Sequence, residues 1–259
     1  MAVYSDTSAM RRLRLRRLKR ALISVFGVFL MITSGFAGYS FANSSFFDIS
    51  EVAVTGNKAV DRESILALSG IRYGTNITRY SGSGISALLK THPYIERAEV
   101  TRVFPRRIEI KISERVPMAL VNSEDKHYLL DANGYCLAEV GIAVAESWSL
   151  PGIRRPSDAQ RLFPGERATD PGTQAALSLI KQLDPYFLEN IYEIDAPSAE
   201  KLSVLNREGL RVYFGQAEDL DRKLQNYEEL LIKNAERCNA DTLEYVDLRY
   251  NTQITLKWK

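Results

Sequence analysis

Apolar and polar positions follow three different rhythms along the chain. Residues 21–42, ALISVFGVFLMITSGFAGYSFA, contain no Asp, Glu, Lys, Arg or His. As a helix rising about 1.5 Å per residue this run extends roughly 33 Å, enough for a hydrocarbon core of about 30 Å. Downstream, Ile108, Ile110 and Ile112 alternate with Arg107, Glu109, Lys111 and Ser113, the period of two expected of a strand with one face buried and one solvated. Later still, Leu220, Leu224, Tyr227 and Leu231 recur at helical spacing over about three turns.

Between the first two rhythms the sequence predicts a small β-α-α-β-β unit. Residues 47–54 read as a strand, although Phe47 and Ile49 occupy one parity and Val52 and Val54 the other, a change that suggests a bulge or cover on both faces. Gly56-Asn57 supplies a turn. Asp61 suits the N-cap of a short helix with Ile65, Leu66 and Leu68 inward and Gly70 as its stop. A second helix carries Ile85, Leu88 and Leu89 inward and ends before Pro93. Residues 94–103, a Phe104-Pro105 turn and 107–113 complete the unit.

Residues 116–259 predict a mixed sheet carrying two helices. Asp131-Ala132-Asn133-Gly134 lies between two apolar runs, a strong hairpin signal. Trp148-Ser149-Leu150-Pro151 reads as the end of an edge strand. Asp170-Pro171 opens a helix with Ala176, Leu179, Ile180 and Leu183 inward. Short strands are expected at 191–194, 202–205 and 210–214, and the helix of Leu220 follows them. Two more strands, 243–250 and 252–258, close the chain, the last with Ile254, Leu256 and Trp258 alternating with Thr255 and Lys257. The fold class is therefore α+β behind one N-terminal apolar helix.

Charge sharpens the reading of the apolar run. Residues 1–20 hold Arg11, Arg12, Arg14, Arg16, Arg17, Lys19 and Arg20 against the lone acid Asp6, while the whole chain has 34 basic and 32 acidic side chains. The body after the tail is thus mildly acidic, which argues against a nucleic-acid-binding surface. Basic residues before a span keep that end in the cytoplasm, so the expected topology is a cytoplasmic tail at 1–20, one transmembrane helix at 21–42 and an extracytoplasmic remainder. The run exceeds the usual apolar core of a signal peptide, and Ser40-Phe41-Ala42 is a weak cleavage site, so an uncleaved anchor is expected. Cys136 and Cys238 are too few for a disulfide framework; one long-range pair and two buried thiols both remain open.

Candidate chemistry is sparse. No phosphate-binding loop, HExxH, GxSxG or CxxC occurs. His92 precedes a proline in a turn and His127 follows the polar Glu124-Asp125-Lys126, so neither has a partner at metal-ligand or triad-like spacing. No catalytic residue, metal site or cofactor is expected. The competing reading is a membrane-anchored cell-wall enzyme or its accessory subunit, which would need a cleft of convergent ionisable residues.

The order strand, Gly56-Asn57, helix, Ser69-Gly70-Ile71, Gly74-x-Asn76-Ile77, helix, His92-Pro93, strand, Arg102-Val103-Phe104-Pro105, strand, Glu114-Arg115-Val116-Pro117 resembles a POTRA domain of the FtsQ/DivIB type. Tyr245-Val246-Asp247-Leu248-Arg249-Tyr250 followed by Trp258, behind Gly215 and the Leu/Lys-rich helix, resembles the terminal strand block of the same family. The resemblance implies a POTRA domain at 45–115 and an FtsQ-type β domain at 116–259. It also implies a scaffold of the bacterial division complex, concentrated at the septum, whose first domain helps recruitment through other division proteins. Its terminal domain would bind the bitopic coiled-coil proteins FtsB (DivIC) and FtsL and so influence septal peptidoglycan synthesis. Carried onto this chain, the partner-binding strand comprises Arg249, Tyr250, Asn251, Thr252, Gln253 and Trp258. Asn251-Thr252-Gln253-Ile254 stands where the family pattern has smaller, more Gly/Ala-rich residues.

Overall fold

A computed structural model of the chain describes residues 7–123, 126–233, 242–250 and 254–259. It forms two compact units, one of the chain up to Thr55 with Gly70–Ile85 and Glu99–Ile110, the other of Gly56–Ser69, Ser86–Ala98 and the chain from Lys111.

Helix α1 (Thr7–Ala42) continues through the basic residues into the apolar run. Its Leu22–Ala42 portion is long and apolar enough to cross a membrane, and none of the apolar window is buried. A helix apolar on all sides and left unburied is of the kind that lipid stabilises, since water would leave those side chains solvated at a cost.

After a single 3-10 turn at Ser45–Phe47 come β1 (Glu51–Thr55), α2 (Arg62–Ser69), a second 3-10 turn at Ile77–Arg79, α3 (Gly82–Leu89), β2 (Ile95–Val103) and β3 (Arg107–Glu114). The three strands form a sheet in the order β1-β3-β2. Along β3, Ile108, Ile110 and Ile112 are buried while Glu109 and Lys111 are exposed. Asp61 caps α2 as expected, its carboxylate accepting from the Ser64 N–H at 2.8 Å and the Ser64 hydroxyl at 2.7 Å. Gly56, at φ +84°, passes so close to the Ile112 carbonyl that a Cβ would lie 2.2 Å from its oxygen, so only glycine fits.

Two local expectations change. The strand expected at 47–54 begins at Glu51, because Ser45–Phe47 is a 3-10 turn. Ile49 and Val52 are both buried because Ile49 belongs to the chain entering the strand, which removes any need for a bulge. On α3, Ile85 and Leu89 are buried, but Leu88 is 49% exposed: two turns of helix turn only one narrow stripe inward.

The larger sheet has nine strands in the order β12-β11-β10-β9-β8-β7-β4-β5-β6. In chain order the elements are β4 (Pro117–Ser123), β5 (Lys126–Asp131), β6 (Cys136–Val140), α4 (Ile142–Ser147), β7 (Gly152–Arg154), α5 (Pro171–Gln182), α6 (Pro185–Asn190), β8 (Ile191–Asp195), β9 (Leu202–Asn206), β10 (Arg211–Gly215), α7 (Leu220–Lys233), β11 (Leu243–Asp247) and β12 (Thr255–Trp258). The β4/β7, β7/β8 and β10/β11 pairs are parallel. The β4/β5, β5/β6, β8/β9, β9/β10 and β11/β12 pairs are antiparallel. α5 and α7 supply Ala176, Leu177, Leu179, Ile180, Leu220, Leu224 and Tyr227 to one core with Val121, Leu130, Ile153, Ile194, Val204, Val212 and Val246 from the strands.

Helices α4 and α6 add to the two that periodicity predicted. The segment at Trp148 does not end an edge strand: Trp148 caps α4, and the chain then enters β7, an interior strand between β4 and β8. Pro151 is accommodated because it is its carbonyl that the ladder uses, accepting from the Leu120 N–H at 2.9 Å. The strand expected at 243–250 stops at Asp247, and within 252–258 the described strand is Thr255–Trp258.

Candidate docking edge

β12 forms one edge of the nine-stranded sheet. It pairs antiparallel with β11 through Val246↔Leu256 and Asp247↔Thr255, with Leu243 opposite Trp258. Ile254 and Leu256 pack against the core cluster, half-buried, while Thr255 and Lys257 are exposed. Lys257 Nζ pairs with Glu244 at 2.9 Å and lies 5.7 Å from the Tyr245 ring centre. That ring meets Tyr213 edge to face, centroids 5.3 Å apart.

Arg249 and Tyr250 follow β11. Asp247 is buried, and the guanidinium of Arg249 grips it with Nε at 2.9 and 3.0 Å from its two oxygens and Nη2 at 2.6 Å. The Arg249 N–H adds a bond to the same carboxylate at 3.0 Å. The Arg249 side-chain hydrogen bond holds the Asp247 carboxyl below its ordinary value against the opposing effect of burial, and Asp247 correspondingly raises Arg249. A forked, charge-assisted pair of this kind fixes a long side chain that would otherwise be free. The guanidinium carbon lies 5.6 Å from the Tyr213 ring centre and 6.0 Å from that of Tyr250.

Below Arg249 the chain turns sharply. Gly215 has φ +69°, and a Cβ there would meet Arg249 Cγ at 3.1 Å. Lys223, 5% exposed, donates from Nζ to the carbonyls of Phe214 at 2.8 Å and Gln216 at 2.9 Å, clamping both sides of that glycine. Burial lowers its pKa, opposed by Asp219 and Glu218. A cavity of about 550 Å³ opens here, lined by Glu200, Gly215, Gln216, Glu218, Asp219, Lys223, Arg249 and Tyr250.

Of the six residues assigned to a partner-binding strand, Arg249 and Tyr250 stand together after β11, and Trp258 ends β12. Tyr250 is 65% and Trp258 48% exposed. Asn251, Thr252 and Gln253 lie outside the described residues. Sequence reasoning missed the Asp247 fork and the Lys223 clamp. The Asp247-x-Arg249 spacing is a usable signal for the first; the second joins residues nine apart across a turn and has none.

Ionisable groups elsewhere serve structure. Arg155 reaches Asp170 Oδ2 with Nε at 3.1 Å and Nη2 at 2.6 Å and donates to the Gln160 carbonyl at 2.7 Å, while the Thr173 N–H caps α5 on Asp170 Oδ1 at 2.8 Å. Burial would raise the Asp170 pKa, but Thr173 and Arg155 hold it low. His127 Nδ1 lies 2.8 Å from Asn122 Oδ1, and His92 Nδ1 accepts from the Tyr94 N–H at 3.3 Å. Cys136 is a free thiol in the core, pushed up to about 11 by burial, and Cys238 lies outside the described residues. Among the described residues no three His, Cys, Asp or Glu side chains are grouped to hold a metal.

Comparisons with known proteins agree over both sheets. Residues 47–115 match the family model "POTRA domain, FtsQ-type", and residues 119–249 match "Cell division protein FtsQ/DivIB, C-terminal", which stops one residue before Tyr250. The cell division protein FtsQ of Syntrophotalea carbinolica is 30% identical over 231 residues, 86% of this chain and 78% of that protein. FtsQ of Geotalea daltonii is 27% identical over 256 residues, 93% and 88% of the two chains. Cell division protein DivIB of Clostridium tetani is 28% identical over 196 residues, 74% and 72%.

Proposed function

The chain belongs to the FtsQ/DivIB family of cell-division proteins, and we propose that it acts there as a non-enzymatic scaffold anchored in the cytoplasmic membrane. Its tail at 1–20 stays in the cytoplasm, held by seven basic residues before the span. Residues 45–115 and 116–259 are then two extracytoplasmic domains, the first meeting other division proteins and the second binding the bitopic coiled-coil proteins FtsB (DivIC) and FtsL. Through them the chain is linked to septal peptidoglycan synthesis and concentrated at the septum.

The observation that carries this reading is the position of β12 at the end of the sheet among the described residues, with the exposed Trp258 on it and, following its neighbour β11, a fixed Arg249 and an exposed Tyr250. An incoming strand satisfies the outward N–H and C=O groups of such an edge, and flanking Arg, Tyr and Trp supply the side-chain share of the affinity. Arg249, Tyr250, Asn251, Thr252, Gln253 and Trp258 are the residues assigned to it.

A photoreactive amino acid at position 258 of the full chain in dividing cells should crosslink to the FtsB-type protein, whereas the same group at exposed Glu139, on β6 at the other edge, should not. Capture at 139 alone would overturn the assignment. A reporter active only after export, fused behind Lys259, should be active; activity of a cytoplasm-dependent reporter there would overturn the topology.

A further inference from the structure

The end of α1 is tied to the segment beyond it. Helices leave their last carbonyls without intrahelical donors. Here the Asn76 side-chain amide, on a residue only 7% exposed, donates to the Ala42 carbonyl at 2.8 Å. The chain bends at once: the Asn43 N–H returns to the Tyr39 carbonyl at 3.1 Å, the Ser44 N–H to that of Phe41 at 3.0 Å, and by Ile49 the backbone is already bonded to Thr75 at 3.0 Å. No flexible linker separates the apolar helix from the first folded segment.

Four phenylalanines stand at this junction. Phe41 on the last turn of α1 contacts Phe46 with ring centroids 5.9 Å apart and Phe47 at 5.3 Å; Phe47 contacts Phe104 at 6.3 Å. Phe41, Phe46 and Phe104 are 60%, 54% and 56% exposed. Phe104 belongs to the tip Arg102-Val103-Phe104-Pro105-Arg106, where all five residues are exposed. Two arginines bracket the apolar centre of this tip. Arg102 lies 6.0 Å over the Phe104 ring and donates to the Tyr80 carbonyl at 3.3 Å, and Arg106 Nε donates to the Asp48 carbonyl at 3.0 Å. Asp48 is the lone acid between Ala42 and Ser50.

The helix itself says what covers these rings. Leu22–Ala42 has 21 residues, about 32 Å at 1.5 Å each, so Phe41 falls at the boundary of the hydrocarbon when the helix spans it. Phe104 is two ring contacts from Phe41, and Arg106 ties its tip to the Asp48 carbonyl. An apolar tip at that depth with arginines on either side matches the aromatic and basic composition of membrane interfaces, where rings enter the acyl boundary and guanidinium groups meet lipid phosphates. We propose that Phe46 and the Val103-Phe104-Pro105 tip are seated in the lipid interface on the C-terminal side of the span, with Arg102 and Arg106 at the headgroups. The inference rests on the reading of α1 as a membrane span.

The test uses the full chain reconstituted in phosphatidylcholine–phosphatidylglycerol vesicles, with Trp148→Phe and Trp258→Phe removing the native indoles. A single reporter is introduced by Phe104→Trp, by Phe46→Trp or, as the aqueous control, by Tyr192→Trp at a 59% exposed position of β8. Lipids brominated near the headgroup end of their chains should quench the reporters at 104 and 46 about twofold or more beyond the reporter at 192. Equal quenching at all three positions in protein that floats with the vesicles would overturn the proposal and leave the span intact, assigning the exposed rings to a protein partner or a second copy. Failure of the chain to float would overturn both.

Discussion

The two edges of the nine-stranded sheet are treated differently. At the β6 edge the chain covers itself: the Cys136 N–H donates to the Glu166 carbonyl at 2.8 Å, the Gly165 N–H to that of Cys136 at 2.7 Å, and the Ala168 N–H to that of Gly134 at 2.8 Å. Tyr135 and Arg167 form a bridge beside them, and β5 behind is buried from Tyr128 through Asp131. At the other edge, β12 is four residues long, with only Leu256 among them half-buried. Its protection against unwanted pairing is shortness and an edge lysine, Lys257, and neither blocks a strand selected for it. One edge is paired with the chain's own loop, whereas at the other β12 adds only the half-buried Leu256 to a core that Leu243 and Val246 of β11 complete.

The largest way to break this contrast is truncation after Tyr250, which removes β12. It should abolish binding of the FtsB-type partner, measured by isothermal titration with folding checked by circular dichroism; undiminished binding would place the site elsewhere. Next, Leu130→Ala beside the closed edge, at a site with no exposure, should cost about 2–5 kcal/mol of unfolding free energy. Leu256→Ala at the open edge should cost about 1 kcal/mol or less, and equal losses in denaturant titrations would show that β12 is core after all. Tyr250→Ala should weaken partner binding by about 2 kcal/mol, while Thr255→Ala, on the exposed side of β12, should change it little; the reverse ranking would move the contact along the strand.

The smallest effect is in pH. Arg249 holds the folded Asp247 carboxyl below the ordinary 3.8, so its contribution is fully present above that value and is lost as the pH falls through the lowered folded value. Asp247→Asn should therefore lower the melting temperature at pH 7 and converge on the wild type in strong acid. A gap unchanged by acid would mean that the fork contributes nothing through ionisation.

The small sheet was legible because its signals are local. β3 declares its buried face by alternation, and Asp61 and Gly70 punctuate α2. The larger sheet was legible where periodicity had room, in α5, α7 and the hairpin at Asn133-Gly134. It was not legible at β7, whose three residues are too few to alternate, nor at α4 and α6, six residues each. The Asp184-Pro185 pair repeats the N-cap grammar of Asp170-Pro171, with the Phe187 N–H on Asp184 Oδ1 at 2.9 Å, and could have been read. Of the candidate edge, alternation gave a terminal strand and the family resemblance gave Arg249, Tyr250 and Trp258. The support beneath Arg249 could not be read, since Gly215, Lys223 and Asp247 converge only once β10, α7 and β11 are packed together.

The Ala42–Asn76 bond also converts residue count into bearing. An α-helix advances about 100° and 1.5 Å per residue, and the junction has no linker in which that rotation could dissipate. One residue inserted within Leu22–Ala42 would swing the Phe104 tip about a quarter of a turn around the helix axis relative to the helix's basic start. Four residues would return it to within about 40° of the same azimuth, about 6 Å further along the axis. Where neighbouring spans must approach from a fixed side, the phase of this helix, as well as its length, is under constraint.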